Sequence, residues 1–445
     1  DDDMVVRLTR DPLAVGNIND SGAHGQLFCA SGDNLLLYTD YVRRGLLRIE
    51  EAVHCQTGKL ASHFIAIANN EPKNMALIRA GNERVLAARL ADAKFFFDED
   101  RKVTLEERGK KLTGVTFHQK LGTMAQKQER IRKLAAFIAA RLDGGQDELQ
   151  QVCDRAAALS KADLLTGIVG EFPELQGIMG GEYALHDGES TVVAQAIREQ
   201  YLPKAIEGEL PKTFVGQILS LADRLDSIAS FFHVGIVPTG LEDPFALRRH
   251  ATAIVRIVLE GKFQIDLRPC IDHAMDIVSN DGFKGVQDLE QQGRRRITEF
   301  VFERVRHYVR IVQGLRDDVI DSVLKSAYDK SVGLVDLVQK MKAIEEVTRK
   351  PEFDPLIVGF KRAHRLVEKE QWERQPVDPA KFQDASESIL YNVIKVEGEK
   401  IGFALSMGDY HEALNYLVGL RPVIDAFFEA VMVNADDKAI RGNRL

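Results

Sequence analysis

Two aspartates three residues apart, Asp223 and Asp226 in Leu221-Ala222-Asp223-Arg224-Leu225-Asp226, are the acidic pair best placed to do chemistry. Helical geometry puts residues three apart on one face, and two carboxylates on one face can begin a divalent-cation site. Such cations take about six oxygen ligands or more, so two carboxylates are too few. The alternative is a pair of helix-surface charges matched to Arg224 or its neighbours. The glycine-rich run Gly177-Ile178-Met179-Gly180-Gly181 has no strand before it, which makes it turn chemistry and not a phosphate cradle. The sequence holds no GxGxxG ahead of a helix, no P-loop, no HExxH and no GxSxG.

Cations are the second group with chemical consequence. Arg249 and Arg256 lie seven apart and share a helical face, with Arg248 adjacent. Arg294-Arg295-Arg296 stand just ahead of the apolar periodicity that starts at Ile297. A cationic triplet at a helix N-terminus opposes the macrodipole by roughly a few tenths of a kcal/mol, and an outside anion such as a phosphate would relieve it. Lys361, Arg362 and Arg365 form a third basic face, opposite Leu356, Phe360, Ala363 and Val367. Each face alone reads as solvated surface. Three of them in an acidic chain raise the nucleic-acid reading.

The elements that must hold these side chains are mostly helical. At 445 residues the chain has room for about three domains. Its 45% hydrophobic and 28% charged content is that of an ordinary soluble globular protein. No stretch approaches the ~20 apolar residues needed to cross a bilayer, and the acidic start Asp1 to Asp3 is unlike a secretory signal. The expectation is a cytoplasmic protein without a membrane partner. Cys29, Cys55, Cys153 and Cys270 are far apart, with no zinc spacing, and read as free cytosolic thiols. A net charge of −8 confines any nucleic-acid contact to local basic faces and argues against a nonspecific DNA binder.

Turn signals at Gly16-Asn17, Ser21-Gly22, Ser31-Gly32-Asp33 and Thr57-Gly58-Lys59 break the opening region. Between them Asn34–Tyr38 and His63–Ala68 read as strand pieces without enough partners for a full sheet. From about Lys73 the pattern is helical. Phe95-Phe96-Phe97 reads as core. Helices are expected from Thr123 to about Leu142, from Asp187-Gly188-Glu189-Ser190 to Leu202, and from Thr213 to Phe231. Asp243 is expected as an N-cap with Pro244 at the first helical position. Amphipathic helices fill the final third, with Gly408-Asp409 capping one of them.

Several long stretches taken together resemble the β subunit of the bacterial two-subunit glycyl-tRNA synthetase. Gly81-Asn82-Glu83-Arg84-Val85 with Arg89-Leu90-Ala91-Asp92-Ala93-Lys94-Phe95-Phe96 is similar to one family segment. Lys161-Ala162-Asp163-Leu164-Leu165-Thr166 with Gly170-Glu171-Phe172-Pro173-Glu174-Leu175-Gln176-Gly177 is similar to a second. Asp243-Pro244-Phe245-Ala246-Leu247-Arg248-Arg249 resembles a third. The last is Pro422-Val423-Ile424-Asp425-Ala426-Phe427-Phe428, Val431-Met432-Val433-Asn434-Ala435 and Arg441-Gly442-Asn443-Arg444-Leu445. These motifs keep the family's order over roughly residues 60 to 445.

The resemblance implies a mainly α, multi-domain protein. It divides into an incomplete α+β segment (1–72), a helical linker (73–120), an HD-like helical domain (121–285) and a helical anticodon-binding domain (286–445). Relative to the family the chain is truncated at the N-terminus and slightly at the C-terminus, which puts association with the α subunit in question. In this family an α subunit activates glycine with ATP and Mg, while the β subunit supplies most tRNA recognition within a heterotetramer. This chain is then expected to lack the catalytic site and to hold no cofactor, with the α subunit and tRNA-Gly as partners. Candidate tRNA contacts are Arg248 and Arg249 in the HD-like region. Arg294, Arg295, Arg296, Lys361, Arg362, Arg365, Arg441 and Arg444 are the candidates in the anticodon-binding region.

The HD likeness implies a metal set of His, His-Asp and Asp. Asp223 matches the final Asp, but Ala158-Leu159-Ser160-Lys161-Ala162-Asp163 has no histidine where His-Asp should stand, and the upstream helix has none either. A metal phosphohydrolase is therefore a weak rival. A noncatalytic assembly scaffold is another. An independent synthetase is weaker still, because the class I signatures and the strands of a class II sheet are lacking.

Overall fold

The computed structural model describes residues 26–28, 35–38, 49–54, 60–66, 74–142, 147–240, 242–286, 289–327, 333–369 and 375–445. The opening turn signals, Cys29 and Cys55 lie outside the described residues. The chain divides into two compact units, Asp1–Phe96 and Phe97–Leu445.

In the first unit, β1 (Gln26–Phe28), β2 (Leu35–Tyr38), β3 (Ile49–His54) and β4 (Leu60–Ala66) form an antiparallel sheet in chain order. Leu36 pairs with Val53 and Glu51 with Phe64, with an irregularity between Glu51 and Val53. This corrects the expectation of isolated strand pieces. The missing partners are β1 and β3, and the charged Glu50-Glu51 hides β3 from a hydrophobicity reading. Helix α1 (Met75–Asp100) follows. Phe95 is 59% exposed, so the three phenylalanines are not all core. At 100° per residue three consecutive side chains fan over most of a helix's circumference.

The second unit is built on a helix that is buried along nearly its whole length. The short α2 (Leu105–Gly109) and the hairpin β5 (Thr116–His118) and β6 (Gly122–Thr123) lead into α3 (Met124–Leu142). Then come α4 (Asp147–Leu159), the short α5 (Gly167–Glu171), α6 (Ile178–His186) and α7 (Thr191–Glu199). The central helix is α8 (Phe214–His233), opened by Thr213, whose hydroxyl accepts from Gly216 N. α3, α4, α7, α9 (Leu247–Glu260), α10 (Leu267–Asn280) and α11 (Leu289–Ile311) all pack on α8. Such a helix needs apolar residues around its circumference, which Ile218, Leu219, Leu221, Leu225, Ile228 and Phe232 supply, and its buried polar residues, Asp223 and Asp226 among them, need partners from neighbouring elements.

Gly177 turns at φ 82°, as turn chemistry requires. Gly181 instead lies inside α6 where it crosses α7, and a Cβ there would meet Ala194 O at 2.7 Å. Two of the three glycines in the run, Gly180 and Gly181, are therefore helix packing. The expected N-cap at Asp243 is also corrected: α9 begins at Leu247, behind Ala246 in a left-handed conformation (φ 55°). Asp243 still serves the helix end, since its carboxylate accepts from Leu247 N at 2.8 Å and Arg248 N at 2.9 Å.

The remaining helices are α12 (Asp317–Ala327), α13 (Leu334–Val347), α14 (Phe353–Lys369), α15 (Ala385–Ser406), α16 (Tyr410–Gly419), α17 (Arg421–Ala430) and α18 (Lys438–Arg444). Asp409 caps α16 as expected, accepting from Glu412 N. Helix α16 docks on α13, where His411 meets Glu346 at 2.9 Å and Lys350 donates to Asn415 at 2.6 Å. Phe427, Val431 and Val433 form a small core, against which Leu366 of α14 and Leu390 of α15 pack.

Candidate nucleic-acid interface

The acidic pair is neither a surface feature nor the start of a metal site. Asp223 and Asp226 are buried at 6% and 2% exposure, and their partners come from other segments of the chain rather than from Arg224. Lys127 Nζ lies 2.8 Å from Asp223 and 2.9 Å from Asp226, Lys161 Nζ lies 2.6 Å from Asp223, and Arg130 Nε lies 2.6 Å from Asp226. Lys127 and Arg130 sit on the same face of α3 as Ile131, Leu134 and Ile138. Arg224 turns away and donates to the carbonyls of Gln200, Tyr201 and Pro203 at 3.1 to 3.2 Å.

Burial alone would raise the Asp223 carboxyl, but the two ammoniums hold it well below the usual carboxylate range. Burial likewise works to lower both lysines. Lys127 ends up raised, because two carboxylates face it. Lys161 ends up lowered, because it has mainly Asp223 and is repelled by Lys127. An HD-type metal does not fit here. Both oxygens of the one matching carboxylate are taken by ammoniums, and among the described residues no cluster of three or more His, Cys, Asp or Glu is placed to hold a metal.

Asp163, from the segment where His-Asp was sought, is fully buried behind this centre. Its Oδ2 accepts from Gly177 N at 2.6 Å, its Oδ1 has no hydrogen-bond partner, and burial pushes its carboxyl up to about 6. His250 is lowered to about 4 by burial and by Arg224. The buried Cys153 and Cys270 thiols are each pushed up to about 12 by burial, as inert free thiols would be.

The cationic candidates divide into committed and open side chains. Arg294 is clamped by Asp272 and Asp276 of α10, and Arg295 pairs with Glu299 at 2.9 Å. Arg296 is exposed. The triplet is not at a helix start, because α11 already runs from Leu289. Relief of an unfavourable helix end is therefore not a reason for an anion to bind there. Arg256 is committed too: it donates to Ile206 O and Gly208 O at 2.6 and 2.9 Å and pairs with Glu260. Arg248 is half-buried in the first turn of α9, beside the exposed Arg249.

Arg444 is 9% exposed, donates to Glu387 at 2.8 Å and to Met432 O at 3.1 Å, and holds α18 to the start of α15. Those bonds commit Arg444 to joining the two helices in this structure. Arg441 donates to Ala435 O at 2.9 Å.

On α14, Lys361, Arg362 and Arg365 are all exposed, and among the described residues no ion pair ties Lys361 or Arg365. The expected apolar face differs in one residue. Phe360 is 66% exposed and stacks on His364, while Leu366 turns inward to the small core. The guanidinium of Arg362 lies 4.5 Å from the ring centroid of Phe428 on α17. A groove of about 450 Å³ opens beside that pair, lined by Asp354, Val358, Arg362, Arg421, Asp425 and Phe428. The sequence reading missed this groove, because Arg362 and Phe428 are 66 positions apart and only the packing of α14 on α17 joins them.

These features define a mainly helical chain with a charge-sealed centre and an open cationic face. The model of the glycyl-tRNA synthetase beta subunit family matches residues 49–325, well over half of the chain, and the chain belongs to that family. It is 42% identical over 390 residues to a glycine–tRNA ligase beta subunit of Syntrophus aciditrophicus, covering 88% of this chain and 55% of that one. A beta subunit of Clostridioides difficile is 42% identical over 388 residues, with 87% and 54% covered. One of Trichlorobacter lovleyi is 41% identical over 392 residues, with 88% and 55% covered. The chain thus spans about half the length of the curated relatives it matches.

Proposed function

We propose that this chain is the tRNA-binding part of a glycine–tRNA ligase beta subunit. It would recognise tRNA-Gly so that a separate alpha subunit can glycylate it with ATP and Mg, and it would work in the cytoplasm without holding the catalytic site. The observation that carries this reading is the open cationic face of α14 beside an aromatic platform, in a chain of this family. Phosphates neutralised by lysine and arginine release counterions, so affinity should fall linearly with salt on logarithmic axes. Arg249 and Arg296 are further open cations that suit the same role, with Arg248 at the edge.

A second reading, a scaffold for protein assembly, has its own support. Ile389, Val396 and Phe403 recur at seven-residue intervals along α15 and are 52%, 53% and 69% exposed. Binding of the purified chain to tRNA-Gly and to a noncognate tRNA across a salt series separates the two. Tighter, steeply salt-dependent binding of tRNA-Gly is expected. Negligible or equal binding of both would leave the scaffold. Reversing Lys361, Arg362 and Arg365 together to glutamate should weaken tRNA binding at least about 100-fold at low salt and flatten the salt slope by about two to three.

A further inference from the structure

The groove beside the basic face of α14 has more than phosphate binding needs. One face of the Arg362 guanidinium is covered by the Phe428 ring at 4.5 Å, and Arg362 is otherwise exposed, so its second planar face is open. Arg421 pairs with Asp425 at 3.2 Å on the opposite wall, while Asp354 and the 67% exposed Val358 complete the wall on α14. The groove therefore offers a flat cationic stacking surface, apolar edges, and both donors and acceptors. Its volume, about 450 Å³, is in the range of small-ligand sites. Lys361 and Arg365 share the solvent face of the same helix, where flanking phosphates of a strand would run.

We infer that this groove takes a single unstacked base of a single-stranded RNA segment and prefers a base that carries an exocyclic amine over uracil. The inference rests on the tRNA-binding reading and adds the place and the class of base. Unpaired RNA bases stack on aromatic rings and on arginine planes, and Arg362 backed by Phe428 is such a plane. Ionised Asp354 and Asp425 accept hydrogens and donate none. Cytosine, adenine and guanine each present an amine to an acceptor. Uracil presents one N–H between two carbonyl oxygens, which the carboxylates repel. Arg421 and the free edge of Arg362 supply donors for the ring acceptors next to such an amine.

The test uses the full chain and four seven-nucleotide single-stranded RNAs with constant flanks and a central C, A, G or U. Affinities are read by fluorescence anisotropy, and ultraviolet crosslinks are mapped to peptides. At least one amine-bearing base should bind about tenfold more tightly than U, with crosslinks in 353–369 or 421–430. Arg362→Gln should weaken every RNA by about tenfold, and Asp354→Asn with Asp425→Asn should erase the preference over U. Phe428→Leu should act like Arg362→Gln. Because Phe428 also packs on the small core, the exposed Arg362 variant decides the matter if the Phe428 variant fails to fold. Equal affinity for all four RNAs, or variants that bind like the wild type while whole tRNA still binds in a salt-dependent way, would overturn the groove and leave the tRNA reading standing. Loss of tRNA binding by the wild-type chain itself would overturn both.

Discussion

With ammonium groups at 2.8 and 2.6 Å, Asp223 has a cation on either side, and neutralising it would strand Lys161 in the core and leave Lys127 with Asp226 alone. Asp223→Asn should cost about 3–5 kcal/mol, because breaking a buried ion pair leaves an uncompensated charge. The double variant Asp223→Leu with Lys161→Met should be milder than Asp223→Asn alone, since Lys127 keeps Asp226. Amide hydrogen exchange along 214–233 would report the order, and a double variant worse than the single one would show that the pair is not the unit. Asp163 gives the opposite sign of linkage. Its folded value of about 6 lies above the ordinary aspartate value of 3.8, so the folded chain holds this proton more tightly than the unfolded chain. Its cost is absent below pH 3.8, grows as pH rises and is complete above about 6. Asp163→Asn should remove that loss, and thermal midpoints measured from pH 4 to 7 should then be flatter than the wild type's.

Helix α15 starts in a capping box. Glu387 accepts from Gln383 N and Asp384 N at 2.6 and 2.8 Å and also holds Arg444 from α18. One carboxylate thus closes a helix end and ties the last helix to it. Glu387→Gln should cost about 1.5–3 kcal/mol, the usual value of hydrogen bonds to a charged group, and should speed hydrogen exchange in 385–406 and 438–444. Arg444→Gln should do the same without altering the salt slope of tRNA binding, unlike the triple reversal on α14. Capping was legible where the residue and its target are local, as at Thr213 and Asp409. It misled at Asp243, whose carboxylate reaches past a left-handed Ala246 that no propensity marks. The same limit governs the site. The missing histidines of the HD-like set were plain in the sequence, and so were exposed Lys361, Arg362 and Arg365. That Lys127 and Arg130 fall on the apolar stripe of α3 was a visible signal of buried cations. Their partners, 96 or more positions away, were not, because ion pairing across helices follows from packing and leaves no spacing to read.

For the molecule as a whole, a net charge of −8 sets the background against which any RNA is attracted. Long-range steering by a uniformly positive field is unavailable, so contact must come from short-range pairing within a Debye length of about 8 Å at physiological salt. Many of its arginines are already spent on carboxylates, as at Arg130, Arg132, Arg155 and Arg294, which leaves the open cations on a few faces. Among the described residues no helix is long and apolar enough to cross a membrane.

The lysines that close the acidic centre also change what kind of component sits there. A bound ion has an occupancy, which falls with dilution, with chelators and with competition from other metals. An ammonium on a side chain has none of these liabilities, because it is synthesised with the chain and cannot exchange. The centre of this unit is therefore indifferent to a cell's metal supply.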